Sequence, residues 1–514
     1  FFGFTQTLGD CGLEMWSPES WRKFVAKQQP NYQSSKPQAV TDALSKLQKL
    51  PPLVHPNEID SLKQQIAEAQ AGRAFVLQGG DCAERFEDCE QDSIEARFKI
   101  MLQMSLVLTW GARLPTIKIG RLAGQYGKPR SSEVETIVDR EGKKRQIPSF
   151  KGDNINGFHP DTESRTHDPN RLLLAHYHSA CTLNYIRALI KGKFAALTNS
   201  ATWDLGGVED ITKRDKYQLI TDKINDSFNF MAACGMPEPA QASQVDFFTS
   251  HEGLVLEYES AVTRKPSSIS LPVVTDETAS SDQESATPTS GKDTYYNLGS
   301  HFLWIGNRTR ALDGAHIEYF RGIANPIGIK VGTDLAKQSH ELVQLIQKLN
   351  PDDEPGKITL ITRLGKDNVL SALPPLIKAV QEANVTVLWT CDPMHGNTYS
   401  ADSGLKTRRF EDILKEIMDS FQVHEQNGSH LGGVHFELTG EHVTECVGGP
   451  ENLSHKDLHL RYTSYCDPRL NYLQSMEMSF LLAALLDKRN CSTNVNTAVS
   501  FLPNQSNPTV QSKL

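Results

Sequence analysis

Three neighbouring runs of the chain, HFLWIGNR (301–308), NPIGIK (325–330) and KITLITR (357–363), share one pattern. Each is short and rich in the β-branched and aromatic residues that favour strands, and each closes on a cation. The segment 334–349, between the second and third runs, has the apolar spacing of an amphipathic helix. Strands that alternate with helices in this way predict a parallel sheet.

Five more runs of the same kind lie outward from these three. They are AFVLQGGDC ending at Cys82, TIKIGR at Arg121, VDFFTSHE at Glu252, VTVLWTCDPMH at His395 and GGVHFE at Glu437. Helical patterns also cover 92–110, 367–384, 408–426 and 471–488. Eight strands alternating with helices predict an α/β fold, the (β/α)₈ TIM barrel, whose chemistry lies at the C-terminal strand ends.

A doubly wound open sheet is the alternative architecture. That fold usually carries a glycine-rich nucleotide loop after its first strand. The corresponding residues here, Gln78-Gly79-Gly80-Asp81, do not form such a loop motif. The barrel is therefore favoured.

The domain organisation is predicted from breaks in this alternation. Segments rich in Ser, Thr and Pro with few large apolar residues are typical of disordered insertions. The expected units are a helical N-terminal extension (1–72), a catalytic barrel (73–489), a helical insertion between strands 2 and 3 (127–240, with helices near 170–190 and 212–233), a disordered surface insertion (263–294) and a flexible tail (490–514).

Composition narrows the class of protein. The 514 residues carry a formal net charge of −9, which argues against nucleic acid as a partner. No apolar run is long enough to cross a bilayer, so no membrane association is expected. The 9 cysteines include no CxxC pair and predict a reducing compartment. We expect a cytoplasmic protein, or a plastid protein if a transit segment has been removed.

Four cations close strands of the predicted barrel. Such residues around one barrel mouth repel each other strongly unless an anion neutralises them. A compound with both a carboxylate and a phosphate would do so. The four are Arg121, Arg308, Lys330 and Arg363.

The turn Lys128-Pro129-Arg130-Ser131-Ser132 follows the strand that ends at Arg121. Arg can grip a phosphate with two parallel hydrogen bonds, and hydroxyl groups can add to them. A solvated basic turn is the alternative reading. Because the turn lies beside a strand-end arginine, a phosphate site is favoured.

Cys82, His395, Glu437 and Asp467 also fall at or just beyond strand ends. Thiolate, imidazole and carboxylate groups together can bind a borderline divalent ion such as Mn²⁺, Co²⁺, Fe²⁺ or Zn²⁺. Their spacing is not a local metal motif, so the residues alone leave a metal site and unrelated buried groups equally open. Glu252, at the end of the third strand, is a candidate general base.

Long motifs in the chain resemble a known family, the type II 3-deoxy-D-arabino-heptulosonate-7-phosphate (DAHP) synthases of plants, fungi and bacteria. The resemblance extends from about Trp16 to about Arg489. The motifs are GGDCAE (79–84), IGRLAGQYGKPRSS (119–132), WIGNRTRALDGAH (304–316), NPIGIK (325–330), DPMHGNT (392–398), ELTGEHVTEC (437–446) and CDPRLN (466–471).

The resemblance implies a transferase of the shikimate pathway, which condenses phosphoenolpyruvate with erythrose 4-phosphate and releases phosphate. It implies one divalent metal ion, Mn²⁺ or Co²⁺ first and Zn²⁺, Fe²⁺ or Cd²⁺ as alternatives. It also implies a homo-oligomer, dimer or tetramer, with aromatic amino acids as effectors. The implied roles are metal ligation by Cys82, His395, Glu437 and Asp467, phosphoenolpyruvate binding by Arg121, Arg308, Lys330 and Arg363, erythrose 4-phosphate binding by Lys128, Arg130 and Ser131, and catalysis by Lys128, Lys330 and Glu252.

One residue departs from the family pattern. Asn307 stands where the family usually has Glu, and an amide carries no negative charge. Two alternatives therefore stay open: another phosphoenolpyruvate-dependent sugar-acid phosphate synthase, or a catalytically silent regulatory relative.

Overall fold

A computed structural model describes residues 15–32, 37–138, 143–192, 203–234, 246–266 and 294–490 of the chain. Its centre is a closed barrel of eight parallel strands. In chain order the strands are β1 (Phe75–Gly80), β2 (Thr116–Arg121), β3 (Phe248–Glu252), β4 (Phe302–Ile305), β5 (Ile327–Val331), β6 (Ile358–Thr362), β7 (Leu388–Cys391) and β8 (Gly433–Glu437).

Each strand pairs with its neighbours in sequence, and β8 closes the barrel on β1. The predicted TIM barrel and all eight of its strands are confirmed. The register places Gly80 opposite both Glu437 and Arg121. Gly80 has a φ of 141°, and a Cβ there would lie 2.7 Å from the Arg121 carbonyl oxygen. A side chain at position 80 would clash with the backbone of Arg121, so glycine is required for this close pairing of β1 with β2.

Twelve α-helices accompany the barrel in the described part of the chain. They are α1 (Pro37–Leu47), α2 (Pro56–Gln70), α3 (Gln91–Ala112), α4 (Asn170–Lys191), α5 (Ile211–Ala233), α6 (Leu256–Val262), α7 (Ala315–Phe320), α8 (Thr333–Ala336), α9 (Ser339–Leu349), α10 (Val369–Glu382), α11 (Phe410–Gln426) and α12 (Tyr472–Asn490).

The single helix predicted over 334–349 is wrong in one respect, because α8 and α9 are separate. The N–H groups of Lys337 and Gln338 bond to carbonyls three residues back, at Asp334 and Leu335. This tight 3₁₀-type turn ends α8 before α9 begins at Ser339.

Helix α2 closes the N-terminal end of the barrel. His55 and Glu58 form a reciprocal capping box, and Pro56 stands at the first helical position. Leu62 and Ile66 then pack with inward-facing strand residues such as Trp304 in one buried cluster. With this end sealed by apolar side chains, the opposite, C-terminal end is left for a ligand.

The N-terminal segment differs from its prediction. Ser17-Pro18-Glu19 has the composition of a helix start, with a Ser that can cap, a Pro that fits the first turn and a Glu that favours the positive helix end. The chain nevertheless forms only a four-residue 3₁₀-helix, Ser20–Lys23. Phe24 is extended, and Val25 then forms a parallel bridge with Gly314. Pairing of Val25 with the loop after β4 therefore takes the place of the expected helix.

The excursion between β2 and β3 contains the two expected helices, α4 and α5. It also contains a hairpin, Val134–Val138 with Lys144–Pro148, that the sequence reading did not predict. The expected disorder of 263–294 and the expected flexible tail of 490–514 lie almost entirely outside the described residues. None of the described helices is both long and apolar enough to cross a membrane.

Candidate active site

The C-terminal strand ends surround a cavity of about 360 Å³. This cavity brings together side chains from sequence positions more than 300 residues apart. Its lining includes the predicted residues Arg121, Lys128, Arg130, Ser131, Glu252, Arg308, Lys330, Arg363, His395 and Asp467, and also Gln125, Trp304, Asn307, Thr398 and Lys406.

Cys82, Glu437 and Asp467 form a ligand triad beside the cavity. One ligand atom from each lies within 4.8 Å of the other two. The Nε2 atom of His395, the fourth predicted ligand, lies 3.1 Å from Oε1 of Glu437. A thiolate and two carboxylates at such distances suit a borderline divalent ion, and the His395 imidazole adjoins them through Glu437. The triad therefore fits a divalent metal.

The ammonium of Lys128 points into the ligand triad. Its Nζ atom lies 2.8 Å from Cys82 Sγ, 2.8 Å from Asp467 Oδ2 and 3.4 Å from Glu437 Oε1. Burial alone would lower the pKa of Lys128, but Asp467, Cys82 and Glu437 hold it well above its usual range. The sequence pattern predicts that Lys128 belongs to a phosphate-binding turn, but it does not indicate the contact of Lys128 with the ligand triad.

Glu437 is fully buried and surrounded by cations. Its Oε1 accepts a hydrogen bond from Arg121 at 3.0 Å, and its Oε2 accepts one from Arg408 at 2.7 Å. Burial alone would raise the pKa of Glu437, but His395, Lys128, Arg408 and Arg121 hold it well below its usual range. Arg408 was missed by the sequence reading because it lies in the loop after β7 and not at a strand end.

Lys330 and His395 share one carboxylate, that of Asp392. Asp392 accepts a hydrogen bond from Lys330 Nζ, and its Oδ2 lies 2.7 Å from Nδ1 of His395. Burial lowers the pKa of Lys330 to about 8, although Asp392 opposes this change. Asp392 lies three residues before His395 in the motif DPMH, and this proximity in the sequence could have indicated that the two side chains interact.

Aromatic and polar neighbours orient the strand-end cations. The Arg121 guanidinium carbon lies 5.1 Å from the centre of the Trp304 ring, and Lys330 Nζ lies 5.9 Å from it. Arg121 also donates to the Asp81 carbonyl at 2.9 Å. Cations over the face of a tryptophan are attracted by the ring quadrupole, so Trp304 helps to hold two like charges near each other.

Two shielded atoms in the cavity wall lack a protein partner. The Nε of Arg363 and the Oε1 of Glu252 are buried without a hydrogen bond, although Arg363 Nη2 donates to the His395 carbonyl at 3.1 Å. Burial raises the pKa of Glu252 above its usual value. Unpaired buried polar atoms are costly, so both favour a bound polar ligand.

The remaining phosphate-site residues lie nearer the solvent. Ser131 and Arg308 are exposed, and Arg130 is half-buried with Nη2 3.8 Å from Oε2 of Glu135. Lys406 lines the same cavity and bonds to Asp467 Oδ1 at 2.8 Å. The cavity is thus cationic from its floor to its rim.

The loop after β2 is held by a carboxylate that the sequence reading also missed. Glu84 accepts hydrogen bonds from the backbone N–H groups of Ala123, Gly124 and Gln125 at 2.8–2.9 Å. Ala123 has a φ of 58° and Gly124 a φ of 153°. Three N–H donors on one carboxylate stabilise this unusual backbone, which leads directly to Lys128.

Some polar side chains near the strand ends do not line the cavity. His251 pairs with Glu259 through Nε2 at 3.0 Å and is buried in that contact. Cys391 is buried against Ser420. Asp313 lines a separate cavity of about 180 Å³ beneath the N-terminal segment. Asn307 does line the main cavity, and its Oδ1 accepts a hydrogen bond from Arg310 Nε at 3.3 Å.

Fold and site together define a (β/α)₈-barrel protein whose cationic cavity adjoins a metal-compatible triad. The model of the class-II DAHP synthetase family matches residues 16–483. The chain belongs to this family.

Curated relatives support the same assignment over most of their own length. A phospho-2-dehydro-3-deoxyheptonate aldolase from Neurospora crassa is 49% identical over 473 residues, which cover 91% of this chain and 94% of the relative. A protein of that name from Streptomyces coelicolor is 43% identical, covering 91% and 96%. One from Mycolicibacterium smegmatis is 42% identical, covering 90% and 92%.

Proposed function

We propose that this chain is a DAHP synthase. It condenses phosphoenolpyruvate with erythrose 4-phosphate and water and releases DAHP and inorganic phosphate. The observation that carries the proposal is the single cavity in which Arg121, Lys330 and Arg363 face the ligand triad. Family membership and the names of the relatives support it.

Phosphoenolpyruvate takes the inner part of the cavity. It carries a carboxylate and a phosphate, for which the three strand-end arginines offer planar, bidentate donors and Lys330 offers a compact ammonium. The unpaired Nε of Arg363 supports a ligand oxygen at that place. The residues assigned to this substrate are Arg121, Arg308, Lys330 and Arg363.

Erythrose 4-phosphate takes the outer part. Arg130 and the exposed Ser131 hold its phosphate near the rim, and Lys128 lies between them and the ligand triad. The aldehyde end of the sugar then points inward, toward the methylene carbon of phosphoenolpyruvate. Holding two anions against their mutual repulsion is the main work of these cations.

One divalent ion, Mn²⁺ or Co²⁺ in the first instance, is held by Cys82, His395, Glu437 and Asp467. When bound, it supplies Lewis acidity toward the aldehyde oxygen. The fit of the donors supports the site, since Cys82 and Glu437 are buried and a thiolate favours Mn²⁺, Co²⁺, Zn²⁺, Fe²⁺ or Cd²⁺ over Mg²⁺.

The bond changes follow from the two substrates. The methylene carbon C3 of phosphoenolpyruvate bonds to the aldehyde carbon, and the aldehyde oxygen gains a proton. Water adds to C2 and gives up one proton, which balances the proton gained by the aldehyde oxygen. The C2–O bond to phosphate then breaks as the added oxygen becomes the C2 carbonyl, and its second proton leaves with the phosphate. Lys128 and Lys330 offset the charge on the oxygens. Glu252, with its raised pKa and unpaired oxygen, takes one proton from the attacking water. Asn307 cannot take this role because an amide does not ionise.

Consumption of phosphoenolpyruvate, measured with and without erythrose 4-phosphate in the presence of Mn²⁺, tests the proposal. We expect loss of phosphoenolpyruvate and release of phosphate in equal amounts, and only with the sugar phosphate. A faster reaction with another aldehyde would identify a related sugar-acid phosphate synthase. Absence of turnover with every aldehyde and metal would identify a silent relative.

Assembly and regulation belong to the same proposal. The protein forms a homo-oligomer, a dimer or tetramer, and responds to aromatic amino acids. Exposed apolar side chains on the inserted helices support an assembly surface: Leu174 and Tyr177 on α4, and Leu219 and Phe230 on α5. Light scattering of the purified protein, with and without each aromatic amino acid, tests both statements.

A further inference from the structure

A buried carboxylate holds the loop that presents Arg363. Glu416 lies in α11, is fully buried and does not line the cavity. Its Oε1 accepts hydrogen bonds from the backbone N–H groups of Leu364 at 3.0 Å and Gly365 at 2.9 Å. These are the two residues directly after Arg363, so Glu416 fixes the direction in which the Arg363 side chain leaves the barrel.

The second oxygen of Glu416 ties this loop to the next one. Oε2 accepts a hydrogen bond from Asn397 Nδ2 at 2.7 Å, and Asn397 Oδ1 accepts one from the Lys366 N–H at 3.0 Å. Gly365 has a φ of 85°, and a Cβ there would lie 2.8 Å from the Gly396 carbonyl oxygen. The two loops are therefore packed backbone to backbone, with Glu416 as their common acceptor.

A different buried carboxylate holds the loop that presents Asp467. Glu445 Oε1 accepts hydrogen bonds from the N–H groups of Thr463 at 3.1 Å and Ser464 at 2.8 Å. Its Oε2 accepts one from the N–H of Arg469 at 2.8 Å, and the guanidinium of Arg469 pairs with the same carboxylate. Asp467 lies between these anchor points and is held from both sides.

We propose that Glu416 and Glu445 are positioning residues with separate duties in the reaction proposed above. Glu416 sets the affinity for phosphoenolpyruvate through Arg363, and Glu445 sets the affinity for the divalent ion through Asp467. This inference rests on the proposed function for the identity of the two ligands. The division follows from geometry, because Glu416 bonds to the backbone beside Arg363 and reaches the His395 loop only through the Asn397 side chain, whereas Glu445 bonds to the backbone on both sides of Asp467.

A change of Glu to Gln isolates this role. It keeps the volume of the side chain but replaces one acceptor oxygen with an N–H₂ donor. In Glu416→Gln the new donor faces Asn397 Nδ2 or the loop N–H groups. In Glu445→Gln it faces the N–H groups of Ser464 or Arg469. Donors that face each other must separate, so each substitution shifts its own loop.

The test uses the full chain and measures two dissociation constants by calorimetry, one for Mn²⁺ alone and one for phosphoenolpyruvate. Displacement of a ligand-binding group by about 1 Å can cost up to about 100-fold in rate, and residues that support metal ligands alter affinity by roughly 10–100-fold. We expect Glu416→Gln to weaken phosphoenolpyruvate binding about tenfold and Mn²⁺ binding by a clearly smaller factor, because its direct link to the His395 loop is the Asn397 side chain. Glu445→Gln should weaken Mn²⁺ binding about tenfold.

Glu477→Gln is the matched control. Glu477 is a buried carboxylate in α12 that accepts hydrogen bonds from Tyr217 and Lys213 at 2.9 Å, away from the cavity. This variant should lower thermal stability and leave both dissociation constants unchanged. If a Gln variant does not fold, Glu416→Asp and Glu445→Asp decide the matter, since they keep a carboxyl group but cannot reach the same N–H groups.

Equal changes of both constants in both variants, or no change in either, would overturn the division of duties. Turnover is measured separately. A wild-type protein that binds both ligands but does not consume phosphoenolpyruvate would overturn the proposed function and leave the division of the two binding constants to stand or fall by itself.

Discussion

Asp392 holds His395 in one orientation. Its Oδ2 lies 2.7 Å from Nδ1 of the ring, and the opposite ring atom, Nε2, lies 3.1 Å from Glu437 Oε1. A carboxylate on one nitrogen of a histidine fixes the other nitrogen for a metal. The same carboxylate accepts a hydrogen bond from Lys330, so it couples the candidate metal ligand to the part of the cavity proposed for phosphoenolpyruvate.

Asp392→Asn should weaken divalent-metal binding roughly 10–100-fold, because an amide holds the His395 ring less firmly and removes a buried negative charge. Calorimetric titration with Mn²⁺ measures the change. Asp419→Asn, in which the altered carboxylate pairs with the exposed Lys415 one turn earlier in α11, is the control. Unchanged affinity in Asp392→Asn would remove His395 from the ligand set.

Removal of the metal should abolish activity. Exhaustive chelation with EDTA is expected to stop phosphoenolpyruvate consumption, and Mn²⁺ or Co²⁺ should restore it. Cys82→Ala should also lose stoichiometric metal, measured by elemental analysis, because the triad loses its thiolate. Cys234→Ala, at an exposed cysteine, should retain it. Full activity in the chelated protein would contradict a metal-dependent reaction.

Lys128→Met should move metal affinity and activity in opposite directions. The Lys128 ammonium lies 2.8 Å from Cys82 Sγ, and unit charges about 4 Å apart interact by roughly 1–4 kcal/mol between water and a protein surface. Loss of this charge should tighten Mn²⁺ binding about tenfold and lower kcat/KM at least about 100-fold. Weaker Mn²⁺ binding would show that Lys128 supports the metal and does not compete with it.

Glu252→Gln should lower kcat by about 100-fold or more with little change in either KM, because the shape of the cavity wall is kept and the proton exchange is lost. Steady-state kinetics with both substrates measure this. Asn307→Ala is the comparison, since it alters the same wall at a residue that cannot ionise, and we expect less than about a tenfold effect. A smaller loss in Glu252→Gln than in Asn307→Ala would argue against Glu252 as the proton carrier.

Lys357 should make stability depend on pH. It is buried near the N-terminal end of β6 and donates to the carbonyls of Ile323 and Asn325. Burial lowers the pKa of Lys357 from 10.5 to about 7. Between these two pKa values the unfolded chain binds more protons than the folded one, so the free energy of unfolding rises with pH from about 7 upward.

Lys357→Met should remove this rise. Its destabilisation relative to wild type should therefore be smallest near pH 7 and grow toward pH 9, in urea unfolding followed by circular dichroism. A difference that stays constant over this range would show that Lys357 keeps its proton in the folded protein.

The strand positions were predictable because each strand is short, buried and bounded by charged or glycine-rich residues, a local signal that needs no partner. The break between α8 and α9 was not, because a local 3₁₀-type turn interrupts a continuous helical pattern there. The short N-terminal 3₁₀-helix was not either, because contact with a distant loop decided it. Val25 pairs with Gly314, which lies in the loop after β4, nearly 300 residues later in the chain. Local propensity does not carry that information.

The pattern of the chain alone establishes the barrel and the chemical types at its mouth: cations at the ends of β2, β5 and β6, and a thiol, an imidazole and carboxylates at or just beyond other strand ends. How these groups meet depends on the folded protein. It placed Lys128 among the triad, Arg408 on Glu437, and Glu84, Glu416 and Glu445 beneath three loops. The reason is closure of the barrel, which sets β8 against β1 and brings Arg121 within 3.0 Å of Glu437 across 316 residues of chain. The alternation within a strand determines which of its side chains point inward. The residues that those side chains contact depend on the strand register and on the course of the loops, and both are established only when the barrel closes.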